Sequence, residues 1–153
     1  MGSQTMASTY LSLHYHLVFS TRNREEFLVE AIRQRMHEYL AGTVLGLKGH
    51  CRAVGGTADH VHLLIGLGAT HALSDFVREL KKASSKWARE QASSRRFAWQ
   101  EGYAAFTVSA SGVEDVRQYI ANQEEHHRKR SFRDELKMML DKSGVIYDER
   151  YLN

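Results

Sequence analysis

Proline is absent from the chain, so no turn is preset by a fixed φ, and every reversal must use Gly, Asn, Asp or Ser. There is a single cysteine, Cys51. One thiol excludes an internal disulfide framework, fits a reducing cytoplasm, and leaves any metal mainly to His, carboxylate or amide ligands. No stretch approaches the run of about 18 apolar residues that spans a membrane, and the first residues lack an apolar leader core. Neither a membrane partner nor export is expected. A strong charge of one sign is also missing, since 21 Lys and Arg against 18 Asp and Glu give a net charge of +3. That balance permits a nucleic-acid partner without demanding one.

What the chain has in abundance is histidine, nine in 153 residues. This length suits one domain with a single core, here 10–153 after a short polar tail at 1–9. The most informative stretch is Asp59-His60-Val61-His62-Leu63-Leu64-Ile65. On a strand, residues two apart share a face, so Val61, Leu63 and Ile65 point one way and His60, His62 and Leu64 the other. Two imidazoles about 6–7 Å apart along a strand can converge on one ion. Taken alone, the pair reads more simply as two polar residues on a wet sheet face.

Tyr10 to Thr21 alternates in the same way, with Leu11, Leu13, Tyr15, Leu17 and Phe19 on one face and His14 and His16 on the other. Phe27 to Leu47 carries apolar residues at three- and four-residue spacing and predicts a helix. His50 to Val54 reads as a strand, with Gly55 to Asp59 as the hairpin connection into the histidine strand. Ser74 is the expected N-cap of a second helix running to Gln91. Phe97 to Ser109 holds a fourth strand, centred on Tyr103 to Ser109. Ser111 is the expected cap of a third helix that starts at Val113 and runs on into His126-His127-Arg128-Lys129-Arg130. Phe132 to Lys142 is a last helix, followed by a tail packed through Ile146, Tyr147, Tyr151 and Leu152. The order β-α-β-β-α-β predicts an α+β fold, a two-layer ferredoxin-like (RRM-like) sandwich. The first two helices cover one face of an antiparallel sheet, and the third lies near the open face that bears His14, His16, His60 and His62.

Tyr119 and Gln123 stand at i and i+4 on that third helix, with Asn122 and His126 nearby. A helix laid over the open face would bring a phenol and an amide oxygen to the two imidazoles. Two nitrogens and one neutral oxygen leave room on an octahedral ion for water and phosphate oxygens, and such a set favours Mg²⁺ or Mn²⁺ over Zn²⁺. Without the histidines, Tyr119 would be a partly buried aromatic whose hydroxyl finds a partner.

Ala58-Asp59-His60-Val61-His62-Leu63-Leu64 and Tyr119-Ile120-Ala121-Asn122-Gln123, in this order and at this chain length, resemble the small single-tyrosine HUH transposases of bacterial insertion sequences, including the REP-associated tyrosine transposases. Tyr15-His16-Leu17-Val18-Phe19-Ser20-Thr21-Arg22 and Trp99-Gln100-Glu101-Gly102-Tyr103 are also similar to family sequence, and the likeness runs from Tyr10 to Leu152. It implies strand transfer on single-stranded DNA with hairpin ends, Tyr119 as nucleophile, and a divalent metal on His60, His62 and Gln123. It further implies a homodimer, no small-molecule substrate, and work at the nucleoid of a bacterial cytoplasm. In several members the tyrosine helix serves the partner subunit, and Ser109-Ala110-Ser111-Gly112 before this helix leaves cis or trans docking open.

Candidate phosphate-binding residues are Arg22 and Arg24 after the first strand, Arg78, Lys82 and Lys86 on the second helix, and Arg128, Lys129 and Arg130. For the helix residues, a solvated surface is an equal alternative. Phe97, Trp99 and Tyr103 could stack on unpaired bases, although aromatics beside a strand more often belong to a core. Two other functions compete with a transposase: a non-catalytic ferredoxin-like nucleic-acid-binding module, and an HUH nickase of replication-initiator or relaxase type. The second usually brings further domains.

Overall fold

A computed structural model describes residues 8–152, so the tail expected at 1–9 lies almost wholly outside the described residues. Four strands, β1 (His14–Ser20), β2 (His50–Gly56), β3 (His60–Gly66) and β4 (Ala104–Val108), form one sheet in the order β2-β3-β1-β4. All neighbours are antiparallel, and β1 meets β3 with Leu17 opposite Leu63, Val18 opposite His62 and Ser20 opposite His60. This is the expected ferredoxin-like α+β sandwich.

Two long helices, α1 (Glu30–Gly46) and α2 (Leu73–Gln91), cover one face. Met36, Leu40 and Val44 of α1 and Phe76, Val77 and Leu80 of α2 close over Leu17, Phe19, Val61, Leu63 and Ile65. Each of these larger side chains contributes about 1.5–3 kcal/mol when fully buried. A one-residue slip of β3 would exchange that apolar set for His60, His62 and Leu64, so packing on one face pins the histidines to the other.

The opposite face is covered by α3 (Val113–Ala121), the short α4 (Gln123–His126) and α5 (Phe132–Lys142). Here α3 lies against β2 and β3, and Gly55 makes the approach possible. A Cβ at Gly55 would stand 2.3 Å from the Ile120 carbonyl oxygen. Gly55 and Gly56 therefore belong to β2 rather than to the hairpin connection, which is shortened to residues 57–59.

Several expected boundaries move. The ladders of β1 end at His14, opposite Gly66 and Val108, and Tyr10 and Leu11 are exposed rather than paired. α1 starts at Glu30, after Phe27 and the fully buried Leu28. Ala72, not Ser74, is the N-cap of α2, and no side chain bonds there. Ser111 sits in a 3₁₀ turn (Ala110–Gly112), and Gly112 caps α3 without a side-chain bond. The run expected as one helix through His126 breaks at Asn122 (φ −102, ψ 24). Among the described tail residues only Leu152 is buried, and Ile146 is 98% exposed. No helix among the described residues is long and apolar enough to cross a membrane.

Candidate active site

His60 and His62 are fully buried beneath α3, α4 and α5, with ring centroids 5.1 Å apart. The alternation of β3 puts both on this face, and the break at Asn122 brings two further groups to them. The Asn122 N–H donates to the carbonyls of Gln118 and Tyr119, ending α3 just after Tyr119 and letting α4 begin with Gln123. Gln123 is buried, its Oε1 lies 2.9 Å from His60 Nε2, and its amide Nε2 donates to Glu135 Oε2 at 2.8 Å. On its other side His60 Nδ1 lies 2.8 Å from Asp59 Oδ1 and 3.1 Å from Thr57 Oγ1.

Glu135 is the residue that the sequence reading missed. Ser131 opens α5 by accepting from the Asp134 N–H, and one turn in, Glu135 points down onto the histidines while Phe132 stacks against His60 at 4.4 Å. The buried carboxylate accepts from His127 Nε2 (2.9 Å), His62 Nε2 (3.2 Å), Gln123 Nε2 and the Tyr119 hydroxyl. Burial opposes its ionisation, but hydrogen bonds from His127 and His62 outweigh burial and hold the carboxyl far below the usual range. The converse holds for Tyr119, whose phenol is pushed well above its ordinary value by burial and then by Glu135. Its ring also stacks on His126 at 4.3 Å. The periodicity Phe132, Glu135, Leu136, Met139, Leu140 did carry a signal, a carboxylate on an apolar stripe.

A family model described as "Transposase IS200 like" matches residues 9–123, most of the chain, including His60, His62, Tyr119 and Gln123 but not Glu135. The chain belongs to that family. ISDra2 transposase TnpA of Deinococcus radiodurans is 29% identical over 119 residues, covering 72% of this chain and 84% of the relative. A crystal structure of a transposase candidate from Deinococcus radiodurans R1 superposes with a TM-score of 0.60 at 28% identity, covering 76% of this chain and 95% of that one. A REP-associated tyrosine transposase bound to a REP hairpin gives a TM-score of 0.59 at 16% identity, over 79% of this chain and 74% of that one, a likeness of fold.

In this IS200-like chain the donor atoms suit a divalent cation. His60, His62 and Glu135 each offer an atom, all within 4.8 Å of one another. His60 Nε2 is 2.9 Å from Gln123 Oε1 and 3.7 Å from Glu135 Oε1, and His62 Nε2 is 3.2 Å from that same oxygen. Neighbouring ligands on an octahedral ion with bonds of about 2.1 Å stand about 3 Å apart. Two nitrogens with one amide and one carboxylate oxygen make a donor set able to hold a divalent cation. The structure thus brings His60, His62, Gln123 and Tyr119 together and adds Glu135.

The expected phosphate-binding residues fall into separate groups. Arg22 and Lys82 line one basic cleft with Lys81 and Arg89. Arg24 and Arg130 line another, which opens beside Asp59 and His127. Arg78 is paired with Asp75 at 2.9 Å, and Arg128 with Glu125 at 3.4 Å. Lys86 and Lys129 are exposed and line neither cleft. Phe97 and Trp99 are core residues, the Trp99 Nε1–H donating to Ser84 Oγ at 2.9 Å, while Tyr103 is the exposed aromatic of the three.

Two buried imidazoles, His16 and His62, and the half-buried His37 set the acid limit of stability. Burial lowers His62 to about 4 against the opposing pull of Glu135, lowers His16 to about 3 with help from His62, and lowers His37 to about 4 with help from Arg33. All three rings are therefore neutral in the fold near pH 7, whereas in the unfolded chain they titrate near about 6.5. Below that pH the unfolded chain binds more protons, so stability is full above about pH 6.5 and falls toward about pH 4. Each ring contributes at most about 1.4 kcal/mol per pH unit in that window. Urea midpoints should drop steadily between pH 6.5 and 4.5, and a flat profile there would mean that the rings are solvated or already charged.

Proposed function

We propose that this transposase cleaves and rejoins single-stranded DNA at hairpin-marked ends, with Tyr119 as the nucleophile. The observation that carries this reading is the convergence of the Tyr119 hydroxyl, the Gln123 amide and two imidazoles on one buried point. The REP-hairpin complex of the structurally similar tyrosine transposase supports the choice of substrate.

A phenol with an ordinary pKa near about 10 is a poor nucleophile at neutral pH. Here burial and Glu135 hold it protonated still more firmly. His60 and His62 are fully covered, and an incoming phosphate oxygen would exchange with Glu135, the oxyanion seated at the convergence point. That exchange also frees the phenol from the carboxylate that keeps it protonated. A divalent cation, Mg²⁺ or Mn²⁺, held by His60, His62 and Gln123 would supply positive charge at a non-bridging phosphate oxygen, with Glu135 as the acidic oxygen that the phosphate replaces. Tyr119 Oη then bonds to phosphorus, the bond to the 3′ oxygen breaks, and the proton lost by the phenol is gained by the leaving 3′-hydroxyl. The 5′-phosphotyrosine keeps the free energy of the phosphodiester, so a 3′-hydroxyl on another strand can reverse the step without ATP.

Arg24 and Arg130 flank the cleft beside Asp59 and are suited to the strand on one side of the scissile phosphate, and Arg22 and Lys82 to a more distant stretch. Tyr119, His60, His62 and Gln123 lie together within one chain, which supports a cis reading of the assembly left open between cis and trans. A homodimer remains part of the reading, because β2 and β4 leave two sheet edges to protect, and light scattering with and without DNA tests it. The decisive experiment offers the protein a hairpin-bearing single strand, the same strand without the hairpin, and a duplex. A denaturation-resistant adduct should form on the first alone, with Mg²⁺ or Mn²⁺ and not with EDTA. DNA binding without any adduct would favour the non-catalytic module.

A further inference from the structure

His16 is a buried histidine for which the cleavage mechanism has no use. It lies on β1, on the same face as His62, because His16 stands opposite Leu64 and Val18 opposite His62, a diagonal neighbour relation across the ladder. The two rings are 5.0 Å apart between centroids, and His16 Nε2 lies 2.7 Å from His62 Nδ1. Among the described residues, His62 is the hydrogen-bond partner of that nitrogen. The Tyr119 ring is 6.1 Å away, edge-on, and Phe106 6.2 Å.

A bond of 2.7 Å between two imidazole nitrogens needs one proton, carried by one ring and accepted by the other. Which ring carries it depends on what faces the far nitrogen of His62. With Glu135 seated there, His62 Nε2–H donates to the carboxylate, so Nδ1 of a neutral His62 is bare and must accept from His16 Nε2–H. With a cation there, His62 must present its Nε2 lone pair. Its proton then moves to Nδ1, and His16 Nε2 must become the acceptor.

A carboxylate could serve only the second state, as Asp59 does for His60 at 2.8 Å. A lysine could serve only the first. A neutral imidazole serves both, simply by changing tautomer. We propose that His16 is the positioning residue of His62, a reversible hydrogen-bond partner that holds the ring in place while the group on its far nitrogen is exchanged. This inference rests on the reading of His62 as a metal ligand. Outer-shell partners of metal-bound histidines typically contribute about 10–100-fold to metal affinity.

The test uses the full chain, with Mg²⁺ as the probe. Long-range proton–nitrogen correlation spectra of the wild-type protein should place the His62 proton on Nε2 in EDTA and on Nδ1 in saturating Mg²⁺, with the His16 tautomer reversing in step. Calorimetric Mg²⁺ titration should show about 10–100-fold weaker binding for His16→Leu, which can neither donate nor accept. His16→Gln, whose side-chain amide can do either, should recover most of that loss. Thermal melts in EDTA separate a folding defect from a metal-binding one, and the wild-type spectra stand even if His16→Leu does not fold. Equal Mg²⁺ affinity in wild type and His16→Leu, or a His62 proton on the same nitrogen in both conditions, would overturn this inference alone. Failure of the wild-type chain to bind Mg²⁺ saturably would overturn the metal reading and this inference with it.

Discussion

Tyr119→Phe is expected to abolish both the covalent adduct and strand cleavage while leaving the fold and DNA binding in place. The substitution removes one oxygen and keeps the ring, with its 4.3 Å stack on His126 and its edge contact to His62. Glu135 loses one donor but retains His62, His127 and Gln123, so the fold should lose only about 1 kcal/mol. No other tyrosine can substitute. Tyr15 and Tyr39 pack against the core cluster and Trp87 respectively, Tyr147 is bonded to Asp141, and Tyr10, Tyr103 and Tyr151 are exposed without an imidazole pair beside them. Adduct yield and DNA affinity measured on one preparation separate a missing nucleophile from a damaged binding surface. Cleavage that persists in Tyr119→Phe would remove this residue from the mechanism.

Metal-dependent cleavage should fall by more than about 100-fold in His62→Ala and in His60→Ala, beyond what an outer-shell change produces. Each removal takes a nitrogen from the set and also strips partners from buried groups, His16 and Glu135 in one case and Asp59 and Gln123 in the other. Some loss of stability will accompany it, so melts must be recorded beside the rates. Gln123→Ala should be milder, about tenfold, because water can replace a neutral oxygen ligand. Raising Mn²⁺ should restore part of the activity in Gln123→Ala and little in either histidine variant. Equal rates across all three with and without EDTA would show that the cluster is structural.

Much of this arrangement was legible in the residues. The period of two in β1 and β3 set which face the histidines share, and the apolar stripes of α1 and α2 covered the other. The limits of α5 were predicted to the residue, because Ser131 and Asp134 form a real cap and Ser143-Gly144 a real stop. Ser74 and Ser111 looked equally good as caps and are not used, since tertiary packing placed the chain reversals one or two residues away.

The break at Asn122 had no Pro or Gly to mark it, and the residues on both sides suit a helix. Gly55-Gly56 reads as a turn because glycine usually serves turns, but Gly55 is there to let the Ile120 backbone approach. Glu135 was overlooked because acids in a first helical turn are favoured by the helix dipole and normally face water. Only the packing of α5 on β3 shows that this one faces inward. The His16–His62 bond was equally out of reach, since a shared face does not reveal the register that makes two residues diagonal neighbours.

The central claim is that Tyr119 becomes covalently attached to DNA, and peptide mapping of the adduct tests it most directly. Trypsin cuts after Arg117 and Arg128, releasing residues 118–128, in which Tyr119 is the only tyrosine. After incubation with a hairpin-bearing single strand and Mg²⁺ or Mn²⁺, followed by nuclease trimming, that peptide should carry the mass of the residual 5′-phosphonucleotide. The same mass on a peptide containing any other tyrosine, or an unmodified 118–128 peptide from protein that has cleaved its DNA, would contradict the account.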